Sequence, residues 1–324
     1  MTTNSPLDSV LTLNATCPLC GQLERVLLYR VTDRHYGIDG TFDIKRCATC
    51  ELVFLDPMPT EEFLESLYPS DYYSYVFSEP SSSGWKAALR QRLLPLGTRD
   101  PHIEPPGVML DVGCGNGWML ERYKANGWEV YGVELNEAAV ASANHRGLNV
   151  RRGTLLGADF SDSSFDYVRL NHSFEHMNNP SEVLQEIRRI LKTSGLGFIG
   201  VPDISGAMAK VFRSNWYYIG APVHCFNWSR QTLRAILEKE GFEIVSCKGN
   251  SDFGGTLGSA QIWLNRNSKR PSDQGVLMGR FRPLLAIPAF WLSKLLDRLD
   301  QGDCVEIVFK ISSPAPHSPP AKMP

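Results

Sequence analysis

An α/β fold, with a largely parallel sheet covered by helices and a small cysteine-bearing module ahead of it, is what this chain predicts. Three observations carry the prediction. Strand and helix patterns alternate from Val108 onward, as they do where helices wrap a parallel sheet. The apolar run Val108 to Val112 enters a loop with glycines at 113, 115 and 117. Two Cys-x-x-Cys pairs stand near the amino end.

Those pairs are Cys17-Pro-Leu-Cys20-Gly and Cys47-Ala-Thr-Cys50, separated by hairpin-like strands. Each sets two thiolates on a tight turn, so Cys17, Cys20, Cys47 and Cys50 can surround one tetrahedral Zn²⁺. A redox pair or buried free thiols would not explain two matched pairs. Four sulfur ligands leave no open coordination position, so the expected zinc is structural. Its binding would fold a module, residues 1–56, too small to hold itself together. Cys114, Cys225, Cys247 and Cys304 lack partners at ligand spacing and read as small buried hydrophobes.

Residues 57–105 read as a helical and aromatic linker. Leu52 to Pro59 is a strand closed by prolines, and Thr60-Glu-Glu starts a helix that ends near Tyr68-Pro69. In Asp71-Tyr-Tyr-Ser-Tyr-Val-Phe77, Tyr72, Tyr73 and Tyr75 form either a lid over the site or a hydrophobic hinge. Glu79 to Gly84 is a linker signal, Trp85 to Leu94 a basic amphipathic helix, and Pro101 to Gly107 a boundary.

The main domain is expected over 106–311. Strands fall at 108–112, 129–134, 149–152, 166–171 and 196–201, and helices at 117–126, 136–146, 181–192 and 229–240. Gly241 to Val245, Thr256 to Leu264 and Cys304 to Ile311 supply the last strands of a seven-stranded sheet. Within the helical insertion 275–300, the segment 280–298 is apolar, carries Trp291 and is flanked by Arg280, Arg282, Lys294 and Arg298. It reads as an interfacial helix on a membrane, or as an insertion packed on the sheet or on another subunit. The Pro- and Ser-rich segment 312–324 reads as a disordered tail.

Bulk properties exclude other classes. With 43% hydrophobic and 21% charged residues the composition is that of an ordinary globular protein. A net charge of −2 gives no footprint for nucleic acid. No stretch reaches the roughly 18 apolar residues of a membrane span, and Met1 to Thr16 does not read as a signal peptide. The expected compartment is the cytoplasm.

The segment Val108-Met-Leu-Asp-Val-Gly-Cys-Gly-Asn-Gly-Trp-Met-Leu120 carries the functional signal. Alternating glycines at the carboxyl end of a buried strand let a ligand lie against the backbone. The strand Trp128 to Val133 ends in Glu134, whose carboxylate can accept both hydroxyls of a ribose. The G-x-G-x-G spacing is not the dinucleotide G-x-G-x-x-G, and the Gly-Lys-Ser/Thr of a phosphate loop is absent.

Leu110-Asp-Val-Gly-Cys-Gly-Asn-Gly117 resembles motif I of class I S-adenosylmethionine-dependent methyltransferases. Val130-Tyr-Gly-Val-Glu-Leu-Asn136 resembles their ribose motif, and Phe165-Asp-Tyr-Val168 the strand entering motif IV. Asn171-His-Ser-Phe-Glu-His-Met177 resembles their acidic-His loop, and Leu191-Lys-Thr-Ser-Gly-Leu-Gly197 their helix-to-strand turn. The motifs cover about 95 residues in the family's order and imply a Rossmann-like seven-stranded methyltransferase sheet. They also imply S-adenosylmethionine as cofactor, with Asp111 helping to hold the methionyl ammonium. Gly113, Gly115 and Gly117 would admit the nucleoside and Glu134 the ribose, with Asn171 nearby. Leu155 stands where the family usually places an acid near the adenine amine, so adenine is held by backbone atoms, or by Asp159 if the loop differs.

The loop after the fourth strand faces the transferred methyl and offers Asn171, His172, Glu175 and His176. His176 is the first choice of base, with Glu175 orienting it or the substrate; alternatively the pair supports the cofactor loop. Trp216 to Trp228 resembles the family's Pro-x-His segment. Its aromatics form either a sugar platform with His224 pointing inward or core packing with His224 satisfied by backbone.

A four-Cys module ahead of such a core resembles bacterial sugar C-methyltransferases and methyltransferases of cell-surface polysaccharide biosynthesis. That implies a small sugar-linked acceptor, methylated on oxygen or carbon. The sequence departs from the C-methyltransferase pattern in having only some 60 residues between core and tail, which puts carbon methylation in doubt. A lipid or quinone acceptor at a membrane surface is the alternative. From another class, the module would make the chain an adaptor with a vestigial cofactor fold; the intact glycine loop and Glu134 speak against it.

Overall fold

The computed structural model describes residues 11–12, 16–67, 100–267, 275–279 and 281–312. The aromatic run at 71–77, the amphipathic segment at 85–94 and the tail beyond 312 lie outside these residues.

The amino-terminal part holds β1 (Leu11–Thr12), β2 (Arg25–Val31), β3 (Phe42–Cys47), β4 (Val53–Leu55), β5 (Met58–Pro59) and α1 (Glu61–Ser66). β2 and β3 pair antiparallel and β3 pairs β4. Buried Asp56 draws this sheet together, meeting Arg25 at 3.0 Å and Lys45 at 3.1 Å. Thr60 caps α1 by accepting the Phe63 N–H, the hydroxyl satisfying a donor with no partner inside the helix.

The main domain follows with β6 (Val108–Val112), α2 (Trp118–Ala125), β7 (Glu129–Glu134), α3 (Glu137–His145), β8 (Asn149–Arg152), β9 (Phe165–Asn171), α4 (Pro180–Ile190) and β10 (Leu191–Pro202). After α5 (Ala207–Phe212) come β11 (Phe226–Asn227), α6 (Arg230–Lys239), β12 (Phe242–Gly249), α7 (Gly254–Leu264), α8 (Arg282–Arg298) and β13 (Cys304–Ile311). Asn136 caps α3, and Ser229 with Thr232 forms a capping box on α6. The sheet has seven strands in the order β12-β13-β10-β9-β6-β7-β8. β8, β7, β6, β9 and β10 run parallel, and β13 lies antiparallel to both β10 and β12.

One expectation is corrected. Thr256 to Leu264 is not a strand but most of α7, and the sheet reaches seven strands without it, with Cys304 to Ile311 forming β13 as expected. The buried residues of α7, Gly255, Leu257, Gly258, Ser259, Gln261 and Ile262, recur at helical spacing. Gly258 lets α7 lie against Tyr217, where a Cβ would stand 2.1 Å from that ring. The sheet of the amino-terminal part takes one strand from further along the chain. β11, from the main domain, pairs with β4 to complete the order β11-β4-β3-β2. One apolar cluster runs from Cys17 and Phe54 through Trp228 and Leu233 to Phe309.

The chain winds from β6 out to β8, then returns to place β9 on the other side of β6. Above the carboxyl ends of β6 and β9 the following loops part in opposite directions. Open α/β sheets bind their ligands in that crevice.

Candidate cofactor and acceptor site

The crevice is a cavity with Gly113, Glu134, Leu155 and Asn171 on its wall and His172 and His176 beside them. The glycine loop makes the nucleoside side. Gly113 sits at φ +76°, and a Cβ there would stand 2.7 Å from that of Ser173, so only glycine fits. Its N–H donates to the Val133 carbonyl at 2.8 Å. Glu134 locks loop to strand: Oε2 accepts the Gly115 N–H and Oε1 the Asn136 N–H, each at 2.9 Å.

Gly115, Gly117 and Asp111 lie behind the loop, off the cavity wall. Gly117 serves packing, since a Cβ there would stand 2.6 Å from Leu148 Cδ1. Asp111 meets the Arg169 guanidinium at 3.0 Å, and Arg169 meets Asp100 at 3.1 Å. Burial pushes the Asp111 carboxyl up, while Arg169 holds it down. Desolvation alone would lower Arg169, but Asp111 and Asp100 raise it above its ordinary value. Arg169 is the one charged residue in its strand's apolar half, Tyr167 to Leu170, and that isolation was its sequence signal.

Leu155 is buried on the wall, whereas Asp159 is exposed and off it. Glu61 and Leu64 of α1 also reach the cavity. Their placement depends on long-range packing, which local sequence does not encode.

The histidine side differs from the expected pairing. Glu175 does not orient His176. Neither Glu175 oxygen bonds His176, whose Nδ1 donates instead to the Val223 carbonyl at 3.2 Å. The imidazole beside Glu175 is that of His172, with Nδ1 and Oε1 3.4 Å apart. His172 has φ 51°, a left-handed conformation uncommon outside glycine. Burial alone would lower the His172 imidazole, yet Glu175 beside it holds it above its ordinary value. Burial, with His172 nearby, drops His176 to about 4; burial, with His176 nearby, drops His224 to about 3.

His224 stands edge-on to His176, their ring centroids 4.7 Å apart, and its Nδ1 donates to the Tyr218 carbonyl at 2.9 Å. The segment around it is core rather than a sugar platform. Trp216, Phe226 and Trp228 are fully buried, and Phe174, Trp228 and Phe226 stack in sequence at 5.3 and 5.1 Å.

The four module cysteines meet as the sequence requires. Cys17 and Cys50 Sγ are 3.6 Å apart and Cys20 and Cys47 Sγ 3.5 Å. A zinc tetrahedron with bonds of about 2.3 Å separates its sulfurs by about 3.8 Å, so the thiols fit it. Cys114, Cys225 and Cys304 are buried free thiols, and Cys247 is half-buried.

The sheet order and the cavity at its switch point define a class I S-adenosylmethionine-dependent methyltransferase domain. A methyltransferase-domain profile matches residues 63–247, more than half of the chain, and the chain belongs to that family. Over 167 residues it is 25% identical to a probable S-adenosylmethionine-dependent methyltransferase of Mycolicibacterium smegmatis, covering 48% of this chain and 63% of that one. Over 97 residues it is 31% identical to a ubiquinone biosynthesis O-methyltransferase of Pseudomonas syringae pv. tomato, 28% of this chain and 42% of that one. A crystal structure of a methyltransferase from Archaeoglobus fulgidus superposes with a TM-score of 0.46 at 23% identity, covering 69% of this chain and 92% of that one. The chain spans less than two thirds of the length of these curated relatives.

Proposed function

We propose that the protein transfers the methyl group of S-adenosylmethionine to a small acceptor, a sugar of a nucleotide-sugar or cell-surface glycan pathway. One observation carries this reading: the cavity at the switch point is lined by Gly113 and Glu134 and also by His172, whose Nδ1 stands 3.4 Å from the buried Glu175 carboxylate. A nucleoside seated on Gly113 and Glu134 puts its methyl toward His172. Adenine rests on Leu155 and neighbouring backbone, and the ribose hydroxyls donate to Glu134.

S-adenosylmethionine supplies an electrophilic methyl on a sulfonium. The chain's part is alignment and proton removal. His172, with Glu175 on its Nδ1, accepts the acceptor's proton as the acceptor atom attacks the methyl carbon. The carbon–sulfur bond breaks with its electron pair going to sulfur, leaving a neutral thioether. A hydroxyl suits this pair, as does a carbon acidified by a neighbouring carbonyl. The module's thiols hold a structural Zn²⁺.

Calorimetry with S-adenosylmethionine on zinc-loaded protein tests the reading. Two ribose bonds to a charged acceptor are worth about 1.5–3 kcal/mol each, so Glu134→Ala weakens binding by about 10²-fold or more. A wild type that binds no cofactor sinks the enzyme reading in favour of an adaptor. Labelled cofactor offered with nucleotide-linked keto sugars or with hydroxyquinones then identifies the acceptor.

A lipid or quinone acceptor is the second reading, favoured by α8. Its inner face, with Ala286, Ala289 and Phe290, packs with α7, while Leu284, Trp291, Leu295 and Leu299 stand exposed. No helix among the described residues is long and apolar enough to cross a membrane. Flotation with anionic vesicles, lost in Trp291→Glu, would support peripheral contact.

A further inference from the structure

We propose that Glu61, carried into the cavity by α1, is the counter-charge for the methionyl ammonium of the cofactor, the role expected of Asp111. That role rests on the methyl-transfer reading of the cavity. Asp111 is not free to serve: it is 2% exposed, lies off the cavity wall and meets Arg169 at 3.0 Å. The ammonium still needs an anion, because a cation taken from water without a partner is costly. Among the described residues the cavity wall carries two carboxylates, Glu61 and Glu134, and no lysine or arginine. Glu134 is committed to the loop and the ribose, its two oxygens accepting the Gly115 and Asn136 N–H groups. That leaves Glu61.

The start of α1 is held where this contact needs it. Met58 and Pro59, just ahead of the helix, pair with β1. The Asn178 Nδ2 donates to the Pro59 carbonyl at 3.2 Å, tying that segment to the loop after β9, and Asn178 itself is on the cavity wall. Leu64 and Leu67 are buried in the large apolar cluster. Glu61 stands one turn ahead of Leu64 on the same helix face, so the side that anchors α1 also brings the carboxylate to the cavity, as both residues line it. Glu62, in the same turn, is exposed and off the wall. Glu61 is exposed as well, so its carboxylate stays hydrated until the ammonium arrives. A carboxylate set beside the sulfonium would compete with the acceptor for the methyl. At the amino-acid end of the cofactor it meets a cation that carries no reactive carbon.

The test is calorimetry on the zinc-loaded full chain with three ligands. S-adenosylmethionine carries both cations, S-adenosylhomocysteine lacks the sulfonium, and methylthioadenosine lacks the whole amino-acid group. Glu61→Gln should weaken the first two equally, about three- to tenfold for a charged hydrogen bond discounted for exposure, and leave the third unchanged. Glu62→Gln removes the same charge from the same turn and should leave all three unchanged. Undiminished binding of both amino-acid ligands by Glu61→Gln overturns the assignment and leaves methyl transfer standing. So does a loss confined to S-adenosylmethionine, which would put Glu61 at the sulfonium, or one shared by methylthioadenosine, which would put it at the nucleoside. An equal loss in Glu62→Gln also overturns it, tracing the effect to the charge at the helix end. A wild type that binds none of the three sinks the methyl-transfer reading, and this assignment with it.

Discussion

Asp303→Asn should stabilise the protein far more at pH 8 than at pH 5. Asp303 is 2% exposed, and its Oδ1 accepts the Trp216 indole N–H at 3.1 Å. Desolvation, with Asp252, Asp297 and Asp203 nearby, pushes its carboxyl up to about 7 from 3.8, against the Trp216 bond that lowers it. The unfolded chain therefore releases this proton near pH 4, while the folded chain keeps it until near pH 7. Stability is lost as pH rises through that window and is level above it. At about 1.4 kcal/mol per pH unit, the group costs about 4 kcal/mol at pH 8 but less than about 2 kcal/mol at pH 5. Asparagine does not titrate. Its effect on the Trp216 bond is nearly the same at both pH values and cancels in the comparison. The gain from Asp303→Asn should thus be about 3 kcal/mol larger at pH 8, or roughly 4 °C in Tm for a protein of this size. Thermal melts of both proteins at both pH values measure it. An equal Tm difference at pH 5 and pH 8 would refute the assigned cause.

Three other outcomes follow from the same geometry. Arg169→Ala leaves Asp111 and Asp100 without their shared cation, and should cost about 3–5 kcal/mol in denaturant melts; a loss below about 1 kcal/mol would show that water replaces the guanidinium. Gly113→Ala, at φ +76° and against Ser173, should abolish cofactor binding while leaving metal content unchanged, as read by calorimetry and mass spectrometry. Chelation of zinc loaded onto the four cysteines should abolish methyl transfer before it abolishes cofactor binding, because β4 supports β11 whereas β6 and β7 lie elsewhere; simultaneous loss of both would contradict this order.

What was legible in the sequence was local. The strand Val108 to Val112 and its glycine loop, Glu134 at the end of β7 and the matched cysteine pairs are each set by neighbours in the chain, and the structure places them together as their spacing requires. Thr256 to Leu264 was misread because its small residues lack strong propensity, and their burial against Tyr217 is decided by tertiary packing. The histidine pairing was hidden for a related reason. Adjacent positions in Glu175-His176 suggest a dyad, but the turn brings residues three apart together, so Glu175 meets His172 while His176 bonds the Val223 carbonyl. The His176–His224 contact spans 48 residues of chain, counted from 176 to 224.

The cysteine module and the His176–His224 contact are one mechanical unit. The Cys47 strand pairs with β4, β4 pairs with β11, and the Leu55 N–H donates to the Cys225 carbonyl at 2.9 Å. His224 immediately precedes that residue, and the Cys225 thiol reaches the His176 carbonyl. A structural ion at the cysteines would thus fix, through two strand pairings, the spacing between His176 and His224. The cofactor wall needs no such support, since Gly113, Glu134 and their strands are held within the large sheet. The module's place ahead of the domain then has a physical reason. It braces β11 and, through Cys225, the His176 turn that lines the cavity.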